Sequence, residues 1–130
     1  NAGLFSTTHD LAVIFQMLLD RGICGDRRYL SRATCGLFMG MKAKSSRRGL
    51  GFDKPDIESD DNSPCAPEAP ASVFGHTGFT GTCVWVDPDN ELVFVFLSNR
   101  TYPVAFGHDN LMKLDIRSRI QQAMYQSIMY

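Results

Sequence analysis

The chain has 130 residues, of which 44% are apolar and 21% are charged, and these values are ordinary for one soluble globular domain with a buried core. Its net charge of −1 excludes a bulk attraction to nucleic acid or to an anionic membrane. No apolar run approaches the roughly 20 residues that a membrane-spanning helix needs. We therefore expect no nucleic-acid partner and no membrane segment in this chain.

The four cysteines have no Cys-x-x-Cys spacing and no nearby histidine pair, which argues against a zinc site: Cys24, Cys35, Cys65 and Cys83. A Cys24–Cys35 bridge is one interpretation. Buried free thiols are the commoner arrangement in a chain with so few cysteines. We predict no metal and no cofactor.

Two helices are predicted in the first forty residues. Thr7, or Ser6 before it, can cap the first, which Gly22 ends. Ser31 can cap a second, shorter helix that runs to about Met39. In the first helix, apolar residues recur at helical spacing, so one face should be buried: Leu11, Phe15, Leu18 and Leu19.

A basic stretch and an acidic, proline-rich stretch follow. Residues 42–48 are basic but contain no aromatic residue that could stack on a base, so we interpret them as a solvated loop. Gly49–Phe52 is predicted to form a short strand. Residues 54–72 contain four prolines, which predicts a flexible loop that contributes little to the core. This loop could be a lid over a substrate cleft or a plain connector.

Three glycines interrupt the strand-like stretch Val73–Thr82 at Gly75, Gly78 and Gly81. Glycine weakens a strand interior, so this pattern predicts a place where a ligand or another backbone comes close. His76 and Thr77 would offer a titratable nitrogen and a hydroxyl there. The alternative is a hairpin in which the glycines merely turn the chain.

The remaining residues predict an antiparallel sheet and a long helix. Strands at Gly81–Val86 and Leu92–Leu97 flank the Asp87–Asn90 turn, and strands joined by so short a turn must be antiparallel. The acidic residues around this turn are expected for backbone reasons and not for metal chemistry. An apolar stripe in the helix predicted from His108 to about Met129 should pack on the sheet: Leu111, Leu114, Ile116, Ile120, Met124 and Ile128. The fold class is α+β, with about three antiparallel strands, the long C-terminal helix and an N-terminal helical region at the flank.

The stretch Gly75–Thr82, followed by Trp85, the strand Leu92–Leu97 and Asn99-Arg100, resembles the C-terminal third of the serine β-lactamase and penicillin-binding-protein-like hydrolases. The likeness is closest to the class C-like esterase and peptidase branch, and it covers most of the chain apart from residues 54–72. In this resemblance, His-Thr-Gly stands where the family has Lys-Thr-Gly on the strand that edges the active site.

The resemblance implies a role for each residue of the triplet and for the two that follow it. His76 would polarise the substrate or the tyrosine-type base, and Thr77 would hydrogen-bond the substrate. The backbone N–H of Phe79 would be one of two oxyanion-hole donors. Gly78 and Thr80 would bind substrate. Because an imidazole titrates near neutral pH, whereas lysine stays charged, the histidine argues against β-lactam hydrolysis. It favours ester or peptide substrates that do not have the same carboxylate requirement.

The family's nucleophile motif is absent from these residues. No serine is followed by lysine three positions on, and no tyrosine or serine by asparagine two positions on. We therefore interpret residues 1–130 as a single domain that is the C-terminal piece of a larger serine hydrolase, inactive alone, with its nucleophile upstream of Asn1.

The resemblance also sets expectations for partners and location. The substrate would be a small molecule or a cell-wall component, and a fused glycoside hydrolase domain would fit known arrangements in this family. A location in the periplasm or outside the cell is expected. Missing strands should leave an exposed sheet edge that favours a homodimer. The alternative function is a noncatalytic domain that binds cell-wall peptide or glycan, or serves as a scaffold.

Overall fold

The computed structural model describes residues 3–40, 43, 46–56, 58, 63–104, 106–107 and 109–128. Within them, helices and strands follow in this order: α1 Thr8–Leu19, β1 Ile23–Cys24, β2 Arg27–Arg28, α2 Arg32–Gly40, β3 Phe74–Thr77, β4 Cys83–Asp87, β5 Leu92–Phe96, α3 Asn110–Lys113 and α4 Ile116–Ile128. None of the described helices is both long enough and apolar enough to cross a bilayer.

Both predicted helix caps in the first forty residues are present. Thr7 Oγ1 accepts a hydrogen bond from the Asp10 N–H at 3.1 Å, and Ser31 Oγ accepts one from the Thr34 N–H at 3.0 Å. Gly22 has a φ of 91°, and a Cβ there would overlap the Leu30 carbonyl oxygen. The polar turn between the helices contains a small antiparallel hairpin of β1 and β2.

The larger sheet has three antiparallel strands in the order β3-β4-β5, which confirms the predicted sheet. Successive side chains of a strand point to opposite faces. On one face, Trp85 and Phe94 belong to a cluster that includes Tyr125 of α4. On the other, Phe74 and Val86 pack with residues of α1 and α2. Helices therefore cover both faces.

The C-terminal helix is interrupted, so the prediction of one continuous helix is wrong in this respect. Asp115 adopts a φ of 47°, a left-handed conformation that aspartate tolerates better than most residues, and it separates α3 from α4. His108 and Met129, the predicted bounds, lie outside the described residues.

The face that α4 buries also differs from the predicted apolar stripe. Its buried residues are Ser118, Gln121 and Tyr125, whereas 44% of Ile120 is exposed. Gln121 Oε1 accepts a hydrogen bond from the Ala66 N–H at 2.9 Å. These polar groups are buried because they satisfy the backbone of the segment beneath the helix.

The prediction that residues 54–72 contribute little to the core is wrong for the described ends of this segment. Lys54 lies in the interior, and its Nζ donates to the Val73 carbonyl at 3.3 Å. At the other end, Cys65, Ala66 and Ala69 belong to the core cluster beneath α4. Residues 57 and 59–62 of the segment lie outside the described residues.

The predicted strand at Gly49–Phe52 is also absent. The Gly49 N–H instead donates to the Phe52 carbonyl at 2.8 Å, which closes a turn. Asp53 alone forms a bridge to β3, at Gly75. Phe52 packs its ring edge-on against Phe74, with centroids 5.0 Å apart. Dimerisation through an exposed sheet edge stays a prediction.

Candidate active-site edge

Strand β3 ends at Thr77, and the chain then turns back into β4 through Gly78–Gly81, here called the glycine loop. The Gly78 N–H donates to the Thr82 carbonyl at 2.7 Å, and the Gly81 N–H donates to the Gly78 carbonyl at 3.0 Å. Gly81 has a φ of 98°, which favours glycine. The loop is thus a closed, tight turn at the end of the sheet.

The structure shows what lies close to the backbone at Gly75. A Cβ at this residue would overlap the Val84 carbonyl oxygen, and it would lie 2.7 Å from the Trp85 ring. The close approach is therefore that of the neighbouring strand β4, and not that of a ligand.

The imidazole of His76 is exposed, and each of its ring nitrogens has a partner. Nδ1 lies 2.7 Å from the Thr77 carbonyl oxygen, and Nε2 lies 2.7 Å from Arg48 Nη1. The side chain therefore points away from the packed interior.

A cavity of about 180 Å³ lies against the glycine loop. It brings together three of the predicted site residues, Thr77, Gly78 and Phe79, and its remaining lining residues are Gly81, Arg100, Met112 and Arg117. His76 and Thr80 are outside this lining. Thr80 instead offers its carbonyl to the Arg100 N–H at 2.9 Å.

Arg100 fixes the conformation of Phe79. Its Nε donates to the Phe79 carbonyl at 2.8 Å, and its guanidinium carbon lies 4.9 Å from the centre of the Phe79 ring. The ring itself is 69% exposed. Within the part of the chain that the structure describes, no group accepts a hydrogen bond from the Phe79 N–H.

The cavity is cationic. Arg117 Nη1 donates to the Thr82 carbonyl at 3.3 Å, so it faces the loop from α4. The described residues place no carboxylate within ion-pair distance of Arg100 or Arg117. Two guanidinium groups therefore have donors left for an anionic ligand.

Sequence reasoning missed four arginines as candidate site residues. Arg100 and Arg117 lie 22 and 39 residues beyond Gly78, the last residue of the triplet, and no local pattern connects them to it. The prediction that residues 42–48 are simply a solvated loop is wrong for its two arginines, because Arg47 Nε and Arg48 Nη1 lie 3.0 and 3.3 Å from the carboxylate of buried Asp53. An arginine pair a few residues before an aspartate was the only available signal.

Cys83 lies opposite Thr77 in the sheet register and is the thiol nearest the triplet. Burial raises its pKa to about 11, against a smaller opposing effect of the Arg117 charge. Burial raises the pKa of Cys65 further, with the charges of Asp53 and Cys83 adding to it. Both thiols stay protonated at neutral pH and are poor nucleophiles. All four cysteines are free.

The three-stranded antiparallel sheet thus ends in an exposed His-Thr-Gly triplet beside a cationic cavity. The family model described as Beta-lactamase matches residues 1–116, and the chain belongs to this family of serine β-lactamase and penicillin-binding-protein-like hydrolases. This confirms the resemblance inferred from the sequence.

Curated relatives and a solved structure agree with this assignment. A putative D-alanyl-D-alanine carboxypeptidase of Salmonella gallinarum is 36% identical over 110 residues, which are 81% of this chain and 24% of that protein. A protein of the same description from Escherichia coli O157:H7 is 36% identical over 115 residues, which are 85% of this chain and 25% of that protein. The chain thus spans about a quarter of the length of these relatives.

The crystal structure of a beta-lactamase from Mycobacterium bovis matches with a TM-score of 0.68 at 24% identity, and the match covers 94% of this chain and 44% of that one. At this level of identity the likeness establishes the fold alone. It confirms the α+β class predicted from the sequence.

Proposed function

We propose that this chain forms the β-strand wall of a serine hydrolase cleft that cleaves peptides with a free C-terminal carboxylate, of the D-alanyl-D-alanine type. The observation that carries the proposal is the cationic cavity at the end of β3, lined by Thr77, Arg100 and Arg117. The curated relatives, which are named as carboxypeptidases of that dipeptide, support the same substrate class.

In this proposal the substrate peptide lies along the open end of β3. The Thr77 hydroxyl hydrogen-bonds the substrate, and Gly78 and Thr80 of the glycine loop contact it. The N–H of Phe79 donates to the oxyanion that forms when the scissile carbonyl is attacked, a donor whose loss typically costs about 10²- to 10³-fold in rate. The attacking serine and its lysine belong to a segment outside these 130 residues.

The two arginines bear on the kind of substrate. Guanidinium groups bind carboxylates through paired, charge-assisted hydrogen bonds. Arg100 and Arg117 would therefore hold the C-terminal carboxylate of a peptide. This favours a substrate with a carboxylate, in contrast to the expectation that the histidine alone suggested.

The test uses the longer protein that carries this segment together with a Ser-x-x-Lys motif. It is incubated with a peptide that ends in D-Ala-D-Ala, and the release of D-alanine is measured. Thr77→Val removes one hydroxyl and should lower kcat/KM about 10- to 100-fold. Thr101→Val is the control, because that hydroxyl only bonds Asn99 on the surface.

Two results would contradict the proposal. One is turnover that Thr77→Val leaves unchanged. The other is a longer protein that has no Ser-x-x-Lys and binds the peptide without cleaving it, which would instead support the noncatalytic binding domain.

A further inference from the structure

The hydrogen bonds of His76 determine where its ring proton lies. A backbone carbonyl can only accept, so the 2.7 Å contact with the Thr77 oxygen requires a proton on Nδ1. Arginine can only donate, so the 2.7 Å contact with Arg48 Nη1 requires a lone pair on Nε2. Together the two contacts specify a neutral imidazole in its Nδ1–H tautomer.

The guanidinium of Arg48 is held in this place by a buried carboxylate. Asp53 is fully buried and is bound to β3 at Gly75, where the two residues exchange backbone hydrogen bonds of 2.7 and 3.1 Å. Its Oδ2 lies 3.3 Å from Arg48 Nη1. The buried Asp53 is thus fixed to Gly75, the residue before His76, and its carboxylate holds the Arg48 guanidinium beside the imidazole.

The direction of the Arg48 contacts shows which partner receives its hydrogen bond. Asp53 Oδ2 accepts no well-directed hydrogen bond from the described residues, so its attraction to the guanidinium is ionic. The 2.7 Å contact with His76 is the hydrogen bond. The Asp53 carboxylate therefore balances the charge of Arg48, while the Arg48 Nη1–H points at the imidazole of His76.

We propose that Arg48 is a positioning residue that fixes the Nδ1–H tautomer of His76 and places a permanent positive charge behind it. A neutral imidazole carries no charge of its own, whereas a guanidinium stays protonated at every pH at which proteins fold. Arg48 and His76 act together where the family's triplet has a lysine. This inference rests on the proposed function for its catalytic part, but the tautomer can be tested without it.

The first experiment measures the tautomer in this chain. Two-bond proton–nitrogen correlation spectra of the imidazoles are recorded in mildly alkaline buffer, where an ordinary histidine is neutral. The His76 signals are identified by their loss in His76→Gln. We expect the Nδ1–H pattern in the wild type. In Arg48→Met we expect a mixture in which the Nε2–H form becomes measurable, because the Thr77 carbonyl still accepts from Nδ1 but no donor then holds the lone pair on Nε2.

Arg47 provides a matched control. Its Nε lies 3.0 Å from the same Asp53 carboxylate, yet it makes no contact with His76. Arg47→Met should therefore keep the Nδ1–H pattern. If Arg48→Met does not fold, Arg48→Leu, which also lacks a donor, takes its place. An unchanged pattern in the Arg48 variant, or an equal change in both variants, would overturn the inference.

The second experiment measures catalysis in the longer protein. Arg48→Met should lower kcat/KM about 10- to 100-fold, the range for loss of a charged hydrogen bond. Arg48→Lys should recover part of this loss, because it keeps the charge, and Arg47→Met should change the rate less than threefold. Equal losses in the two methionine variants would assign Arg48 a merely structural role. If the wild type has no hydrolase activity at all, the proposed function fails while the spectra still decide the role of Arg48.

Discussion

The two ends of strand β4 both carry polar residues, but the residues are satisfied in different ways. At the Asp87 end, the carboxylate accepts hydrogen bonds from the N–H groups of Asp89 and Asn90, the Asn90 amide and the hydroxyl of Tyr125. Each donor comes from the protein itself. We call this the closed end of β4, because protein groups supply the donors to its carboxylate and these hydrogen bonds stabilise the fold.

The Cys83 end of the same strand is open. The glycine loop leaves the Phe79 N–H without an acceptor among the described residues, and Arg100 and Arg117 have no carboxylate partner there. Unmatched donors beside a cavity are typical of a binding site, whereas a fully matched carboxylate is typical of a structural element. The comparison separates a candidate binding site from a structural element along one strand.

The largest expected effect is on the free energy of unfolding, when the Asp87 carboxylate at the closed end is removed. Asp87→Ala leaves buried donors without an acceptor and should lower the free energy of unfolding by about 3 kcal/mol or more. Chemical denaturation measures this change. Asp89→Ala is the control, because that exposed side chain bonds only Ser72 and should cost less than about 1 kcal/mol. Equal losses in the two variants would show that the closed network is not what stabilises this end.

At the open end, a substitution should change binding and leave the fold intact. Arg117→Ala should raise KM for a peptide with a free C-terminal carboxylate about 10- to 100-fold, because a charged hydrogen bond is lost. The KM for the same peptide with an amidated C-terminus should stay constant. Arg119→Ala, an exposed position on the same helix, is the matched control. A similar rise for both peptides would contradict carboxylate recognition.

Tyr125→Phe removes only one of the hydrogen bonds at the closed end, so its effect should be smaller than that of Asp87→Ala. It removes the 2.8 Å hydrogen bond to Asp87 but keeps the ring, and it should cost about 1.5 kcal/mol. In the wild type, burial, and then the hydrogen bond and charge of Asp87, raise the pKa of Tyr125. Its contribution is therefore complete below the ordinary tyrosine pKa and is lost as pH rises towards the higher folded value. The unfolding free energy of Tyr125→Phe should fall less than that of the wild type in alkaline buffer; a parallel fall would contradict this assignment.

The sequence predicts the closed end better than the open one, because the closed end is built from near neighbours. The turn at Asp87–Asn90 and the strand that leads into it are local patterns, and both are present. Likewise, the Thr7 and Ser31 caps depend on groups three residues away. Local signals of this kind are visible before any fold is known.

The contacts that create the candidate site are long-range and leave no local pattern. Arg48 is 28 residues from His76, and Arg117 is 35 residues from Thr82. The buried face of α4 was mispredicted for the same reason, since Gln121 is buried by a hydrogen bond to Ala66, 55 residues away. Periodicity ranks side chains by polarity and therefore misses a polar side chain that is buried because a distant backbone group needs it.

The smallest expected effect concerns the outer side of α4, the helix that also secures the closed end through Tyr125. Gln122 Nε2 donates to Glu68 Oε1 at 3.0 Å, and this hydrogen bond is the main cause that lowers the pKa of Glu68. The stabilisation is complete above the ordinary glutamate pKa and is lost as pH falls through the lower folded value. Because the carboxylate is only half-buried, solvent screens it, and Glu68→Gln should change the unfolding free energy by at most a few tenths of a kcal/mol.

The acid side of the pH profile is the measurement that isolates this contact. Unfolding free energies of Glu68→Gln and the wild type should converge as pH falls below the ordinary glutamate pKa, because the wild-type carboxylate then becomes neutral as well. Glu58→Gln is the control, since Glu58 is exposed in the same segment and its profile should follow that of the wild type. A difference between Glu68→Gln and the wild type that stays constant down to acid pH would mean that the side chain contributes through packing. In that case α4 would be fixed to this segment by Gln121 and Ser118, whose partners do not titrate.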